Sequence, residues 1–271
     1  MSSMKMVLAL CAALAAAAPA GVHAQACSEA GWQGRQVDPV AQGGRLYDKW
    51  WTVCGLDEPA DTHPSYPAAG KQKGAVTWRC KECHGWDYLG KDGAYRKGSH
   101  YTGIAGLERR AGTDPAGIVS ILKDPTHRYG ERLPDEALLR LAWFVSGGMI
   151  DSRGRIDPAT KQVLGDPVGG RWLYGHNCIA CHGADGQAMN FGSASEPEYL
   201  GTVASENPWE ALHKLRNGHP GAVMDRERMR EARIRMHHHM IAGQPMPPMR
   251  MVLSVDQQFD LLRFLQTLPA E

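Results

Sequence analysis

The sequence has no surplus of charge: 30 Lys and Arg stand against 29 Asp and Glu, a formal net charge of +1. That balance removes any general electrostatic case for nucleic acid or an anionic membrane surface as partner, and leaves only local patches to consider. Nor is there an apolar run long enough to cross a bilayer permanently. The only candidate, residues 6–18, falls well short of the roughly 20 residues that a spanning helix needs. No paired carboxylates and no nucleophile with its base can be placed, so nothing in the chain by itself demands a catalytic centre. Cysteine is scarce, with seven in 271 residues. The length allows one or two domains with two small cores, and excludes a large enzyme scaffold.

That short apolar run reads as an export signal. Lys5 supplies the positive start, Ala and Leu dominate residues 6–18, and Val22-His23-Ala24 is a small-residue cleavage site. The expected signal peptide is residues 1–24, leaving no membrane span after cleavage and a periplasmic protein. A lipid anchor on Cys27 is the alternative, weakened by Ala24 standing where such signals usually carry Leu.

Four of the seven cysteines fall in two pentapeptides, Cys80-Lys81-Glu82-Cys83-His84 and Cys178-Ile179-Ala180-Cys181-His182, each followed by Gly (Gly85, Gly183). C-x-x-C-H is the attachment signal of a c-type haem. Two thiols add to the two vinyl groups on one edge of the porphyrin, and the next residue, His, then lies under the iron as its proximal ligand. A redox dithiol gives no reason for the His, and a zinc site needs further ligands at fixed spacing. The expected cofactors are therefore two covalently bound haem c, held by Cys80, Cys83, Cys178 and Cys181, with His84 and His182 on the irons. Export agrees, because such haems are attached outside the bacterial inner membrane. Cys11 leaves with the expected signal, and Cys27 and Cys54 remain, in an oxidising compartment most simply as a disulfide.

The two halves overlay. His84 and His182 lie 98 positions apart, and so do Tyr101-x-Gly103 and Tyr199-x-Gly201. Asp114-Pro115 and Asn207-Pro208 each read as an N-cap followed by Pro at the first helical position. Leu138, Leu141, Ala142 and Val145 recur at helical spacing, as do Leu261, Phe264, Leu265 and Leu268. A helical pattern opens at Gly44-Arg45-Leu46-Tyr47 and looks like Gly170-Arg171-Trp172-Leu173-Tyr174 ahead of Cys178. In the first half Pro59, Pro64, Pro67 and Gly70 break that helix before Cys80. The expected layout is an N-terminal arm over 25–43, a first domain over 44–150, a Gly- and Pro-rich linker over 151–168, and a second domain over 169–271 carrying an inserted helix over 217–244.

These motifs resemble tandem class I cytochromes c, over about residues 44–150 and 169–268. The resemblance implies an all-α fold of two small helical bundles, each around a covalently bound haem, with the aromatic residue of the N-terminal helix packed on the terminal helix. It also implies a sixth iron ligand on the loop before the terminal helix, commonly a Met followed by Pro. In the second half that residue is Met246, with Met249 the fallback. Superposing Phe144 on Phe264 sets His127 within one residue of the Met246 position, which makes His127 the first choice for the first haem. Its rivals are Met149, His100, and a Cys54 thiolate as in di-haem thiosulfate dehydrogenases.

The insert carries Arg226, Arg228, Arg230, Arg233 and Arg235, then His237, His238 and His239. The bland reading is a solvated helix; the sharper ones are a docking patch for an acidic partner or a site for an anionic substrate. Three consecutive His invite copper or zinc, but successive helical residues point about 100° apart and do not meet one ion easily. The preferred function is transfer of single electrons between redox protein partners such as another cytochrome, an oxidase or a dehydrogenase. The alternative is a haem oxidoreductase acting on a small inorganic anion such as thiosulfate.

Overall fold

Four helices of the computed structural model begin in the same way, with an Asp or Asn cap followed by Pro. Asp38 accepts the N–H of Val40 and starts α1, Pro39–Cys54. Asp114 accepts from Ala116 and starts α3, Pro115–Leu122. Asp166 accepts from Val168 and Gly169 and starts α5, Pro167–Asn177. Asn207 accepts from Glu210 and starts α8, Pro208–Asn217. Each cap satisfies N–H groups that have no partner within their helix, while Pro carries none to satisfy. The remaining helices are α2 (Cys80–His84), α4 (Asp135–Gly147), α6 (Ile179–His182), α7 (Leu200–Glu206) and α9 (Val255–Leu265). The structure describes Cys27 and residues 38–193, 195–221 and 246–270. The expected signal, most of the expected arm, and all but the first residues of the expected inserted helix lie outside these. So do the Arg and His residues singled out there. No β-strand occurs among the described residues, and the chain is helical, as an all-α haem fold requires.

The same crossing is built twice. α1 packs on α4, and α5 packs on α9. At the first crossing Gly43 has no room for a side chain, because a Cβ there would stand 2.0 Å from the Arg140 carbonyl oxygen. At the second, a Cβ on Gly170 would stand 2.1 Å from the Asp260 carbonyl oxygen. One turn further on, Tyr47 meets Phe144 at 5.4 Å between ring centres, and Tyr174 meets Phe264 at 5.3 Å. Each Tyr hydroxyl donates at 2.6 Å to the carbonyl of the glycine after a pentapeptide, Gly85 in one case and Gly183 in the other. Those two glycines have φ of 79° and 78°, a left-handed turn that favours a residue without Cβ.

This duplication corrects the overlay in detail. Gly43, and not Gly44, is the counterpart of Gly170, and α1 begins at Pro39, five residues before the periodicity predicted. α5 likewise begins at Pro167, inside the stretch expected to be linker. That stretch is anchored: Ile156 and Val163 pair in an isolated bridge and are buried in the second core.

Two hydrophobic cores form. The first gathers Tyr47, Trp50, Trp78, Leu138, Leu141 and Phe144, and the second Leu173, Tyr174, Leu212, Phe259, Leu261 and Leu262. They meet where α8 lies against α1. Trp86, two residues beyond His84, is buried among the residues of the second core. Beside it His213 is enclosed by Tyr47, Tyr88, Trp86 and Phe144. Its Nδ1 takes the Tyr88 hydroxyl at 2.8 Å, so Nε2 carries the proton and donates to the Gly44 carbonyl at 2.8 Å. Arg45 reaches across to the carbonyls of Asn217 and Met246.

Candidate haem centres

α2 consists of the first pentapeptide and nothing else. Its two thiols are unpaired, and burial pushes both Cys80 and Cys83 up to about 12. A redox dithiol needs the opposite shift, towards the thiolate. The intervening residues turn inward. Lys81 pairs with the buried Glu82 at 2.9 Å, and His100 Nδ1 meets the other Glu82 oxygen at 2.6 Å. Burial opposes the charge on Glu82, but His100 and Lys81 outweigh it and hold the carboxyl below its usual range.

His84 Nδ1 donates to the Ala105 carbonyl at 2.9 Å, and burial lowers its pKa to about 4. The ring is therefore neutral, with its lone pair on Nε2, the form in which imidazole binds a metal. His127 stands opposite: the two rings lie 6.4 Å apart between centres and within 20° of parallel. A metal–nitrogen bond of about 2 Å, plus about 1 Å from nitrogen to ring centre, separates two imidazoles ligating one ion from opposite sides by roughly 6 Å. The observed spacing fits an ion between them.

His127 is fixed from its own loop. One Asp124 oxygen accepts the N–H groups of Thr126 and His127 at 2.9 and 2.8 Å and also meets His127 Nδ1 at 3.1 Å. Engaging Nδ1 leaves Nε2 for the ion, the usual arrangement behind a ligating histidine. The rivals are placed elsewhere. Cys54 is bonded to Cys27, with 4.9 Å between their Cα atoms, and is no thiolate. His100 stacks on Tyr95 at 4.8 Å and pairs with Glu82. Met149 packs against the first core just past the end of α4, and Arg216 donates to the carbonyl of its neighbour Gly148.

The second pentapeptide straddles the end of α5 and the whole of α6. Its thiols are also unpaired; burial pushes Cys178 up to about 12 and raises Cys181 as well. Here the intervening residues face outward, Ile179 being 42 % exposed. His182 is buried, and burial lowers its pKa to about 4. Its Nδ1 is buried with no hydrogen-bond partner among the described residues, so none of these supplies the carbonyl that Ala105 supplies to His84. Met249 is buried in the second core, while Met246 packs against that core from its rim.

Both sites fit the group that the spacing implies: paired free thiols on one turn and a neutral histidine directly after them. Two participants carried no signal in the sequence. His63 and Ser65 bond to carbonyls of the His127 loop from more than sixty residues away. Asp124 did carry one, since an Asp a few residues ahead of a turn commonly bonds the backbone beyond it.

Comparison with known families places a cytochrome c domain at residues 168–269. That match implies covalently bound haem c, an electron-transfer role and redox partners. Among curated proteins and solved structures nothing matches.

Proposed function

We propose that this chain, a c-type cytochrome over residues 168–269, is an exported di-haem cytochrome c passing single electrons between redox proteins. His84 and His127 would hold one haem iron, and His182 and Met246 the other. The observation that carries the reading is the opposed pair of imidazoles, 6.4 Å apart, each with Nδ1 engaged and Nε2 left over. A haem c supplies reversible one-electron exchange at its iron. Cys80 with Cys83, and Cys178 with Cys181, would hold the two macrocycles covalently.

The protein's own residues do the rest. Ala105 and Asp124 set the tautomers of His84 and His127, and burial keeps both proximal histidines neutral. Were side chains to supply both axial positions, no site would be left for a substrate, which favours a carrier over an enzyme. Methionine raises a haem's potential relative to histidine, so these two ligand sets would differ in poise and give electrons a downhill direction from the first to the second. The Cys27–Cys54 disulfide suits an oxidising compartment, which supports export and a periplasmic location. It also removes the thiolate that would have supported a thiosulfate-oxidising reading.

The partners implied are another cytochrome, an oxidase or a dehydrogenase. Haem quantified against protein tests the reading first, with two haem c per chain expected and one per chain contradicting it. Reduced wild-type protein should resist carbon monoxide, whereas His127→Ala should bind it at the first haem. Rapid binding by the wild type at that haem would instead point to an open, substrate-accepting iron.

A further inference from the structure

We propose that His63 is a positioning residue for the first haem centre, clamping the loop that presents His127 by a hydrogen bond to the carbonyl of that same residue. The inference rests on His127 being an axial ligand. Two consecutive carbonyls of the loop are held from one side: Thr126 accepts the Ser65 hydroxyl at 2.7 Å, and His127 accepts from His63 Nε2 at 3.1 Å. The tautomer of His63 is settled by its neighbour. Ser65 N–H donates to His63 Nδ1 at 3.1 Å, so that nitrogen carries the lone pair and Nε2 carries the proton aimed at the His127 carbonyl.

His63 is itself tied to the turn that precedes the first pentapeptide. Its N–H donates to the Thr77 hydroxyl at 2.8 Å, and Thr77 donates to the Gly74 carbonyl at 2.6 Å. Its ring lies 4.3 Å from that of Trp78, which is buried and donates through Nε1 to the Asp61 carbonyl. The Trp78 carbonyl in turn accepts from Trp50 and Tyr129. One hydrogen-bonded frame thus holds the segment leading into Cys80 and the loop bearing His127.

The loop needs holding. Arg128, directly after the ligand, has φ of 57°, in the left-handed region that side chains with a Cβ seldom occupy. Such a conformation persists where its surroundings over-determine it. Asp124 holds the loop from within, and the His63 segment holds it from without. In the second half α5 runs directly into Cys178, so no segment there corresponds to the chain between α1 and α2. The extra chain between α1 and α2 therefore has a task in the first half alone.

The test uses the full-length haem-loaded protein and the rate at which its reduced form binds carbon monoxide at the first haem, with His127→Ala as reference. His63→Ala should raise that rate roughly tenfold, the size expected when one hydrogen bond is lost from the closed state. His63→Gln, which keeps a donor at similar reach, should restore it, and haem content should stay at the wild-type value in both. Should His63→Ala fail to assemble, Ser65→Ala, which removes an exposed bond to the same loop, should still speed binding several-fold. A wild-type rate in His63→Ala beside fast binding in His127→Ala overturns the clamp and leaves the ligand reading intact. Slow binding in His127→Ala overturns both. Faster binding that Gln does not restore also overturns the hydrogen-bond clamp.

Discussion

Burial keeps His84, His182 and His213 alike neutral, but they serve two different ends. His84 and His182 keep a lone pair for a metal, whereas His213 uses both nitrogens to join the two halves. Burial lowers the pKa of His213 to about 4, while an unfolded histidine titrates near 6.5. Between those values the unfolded chain binds a proton that the folded chain refuses. Stability from this residue is thus intact above about pH 6.5 and is lost as pH falls towards 4, at up to about 1.4 kcal/mol per pH unit. His213→Phe removes the acceptor of the buried Tyr88 hydroxyl and should lower stability near pH 7 by about 1–3 kcal/mol. It should also flatten the acid limb, since Phe does not titrate. Denaturant midpoints of both proteins measured from pH 7 to pH 4 check this, and parallel curves would rule it out.

Among the elements, the crossings of α1 with α4 and of α5 with α9 carry the duplication more faithfully than the sequence does. Glycine inside a helix is normally a weakness, and replacing it by Ala should stabilise by about 1 kcal/mol on propensity alone. At Gly43 and Gly170 the sign reverses, because the added Cβ meets a carbonyl oxygen of the facing helix at 2.0 and 2.1 Å. Gly43→Ala and Gly170→Ala should each lower stability by about 1–3 kcal/mol as the helices are forced apart. A rise in thermal midpoint for either would show that its crossing is looser than described.

The same elements show what the residues announced in advance. The caps at Asp114 and Asn207 were legible because an Asp or Asn followed by Pro is a local signal. Asp38 and Asp166 carry the same signal, and reading it there would have placed both helix starts. The pentapeptides and the terminal stripes were legible for the same reason, since they depend on neighbours within a few residues. What stayed hidden is long-range. His63 meets His127 across 64 positions and Tyr88 meets His213 across 125, and neither pairing leaves a periodic trace.

In the whole molecule, two similar crossings carry two unlike pentapeptide sites. The first pentapeptide faces inward, with Lys81 and Glu82 buried and its histidine opposed by His127. The second faces outward at Ile179, its histidine has no orienting carbonyl among the described residues, and methionines stand on the loop before α9. Trp86 is buried among the residues of the second core, and His213 bonds the Gly44 carbonyl across the two halves. The central claim is that the difference between them lies in the axial residue, histidine in one and methionine in the other. A spectroelectrochemical titration of the wild type and of His127→Met tests it most directly. Two separate one-electron waves are predicted for the wild type, with the lower one moving up towards its neighbour in the variant. A single wave in the wild type, or two waves that the substitution leaves where they were, would contradict it.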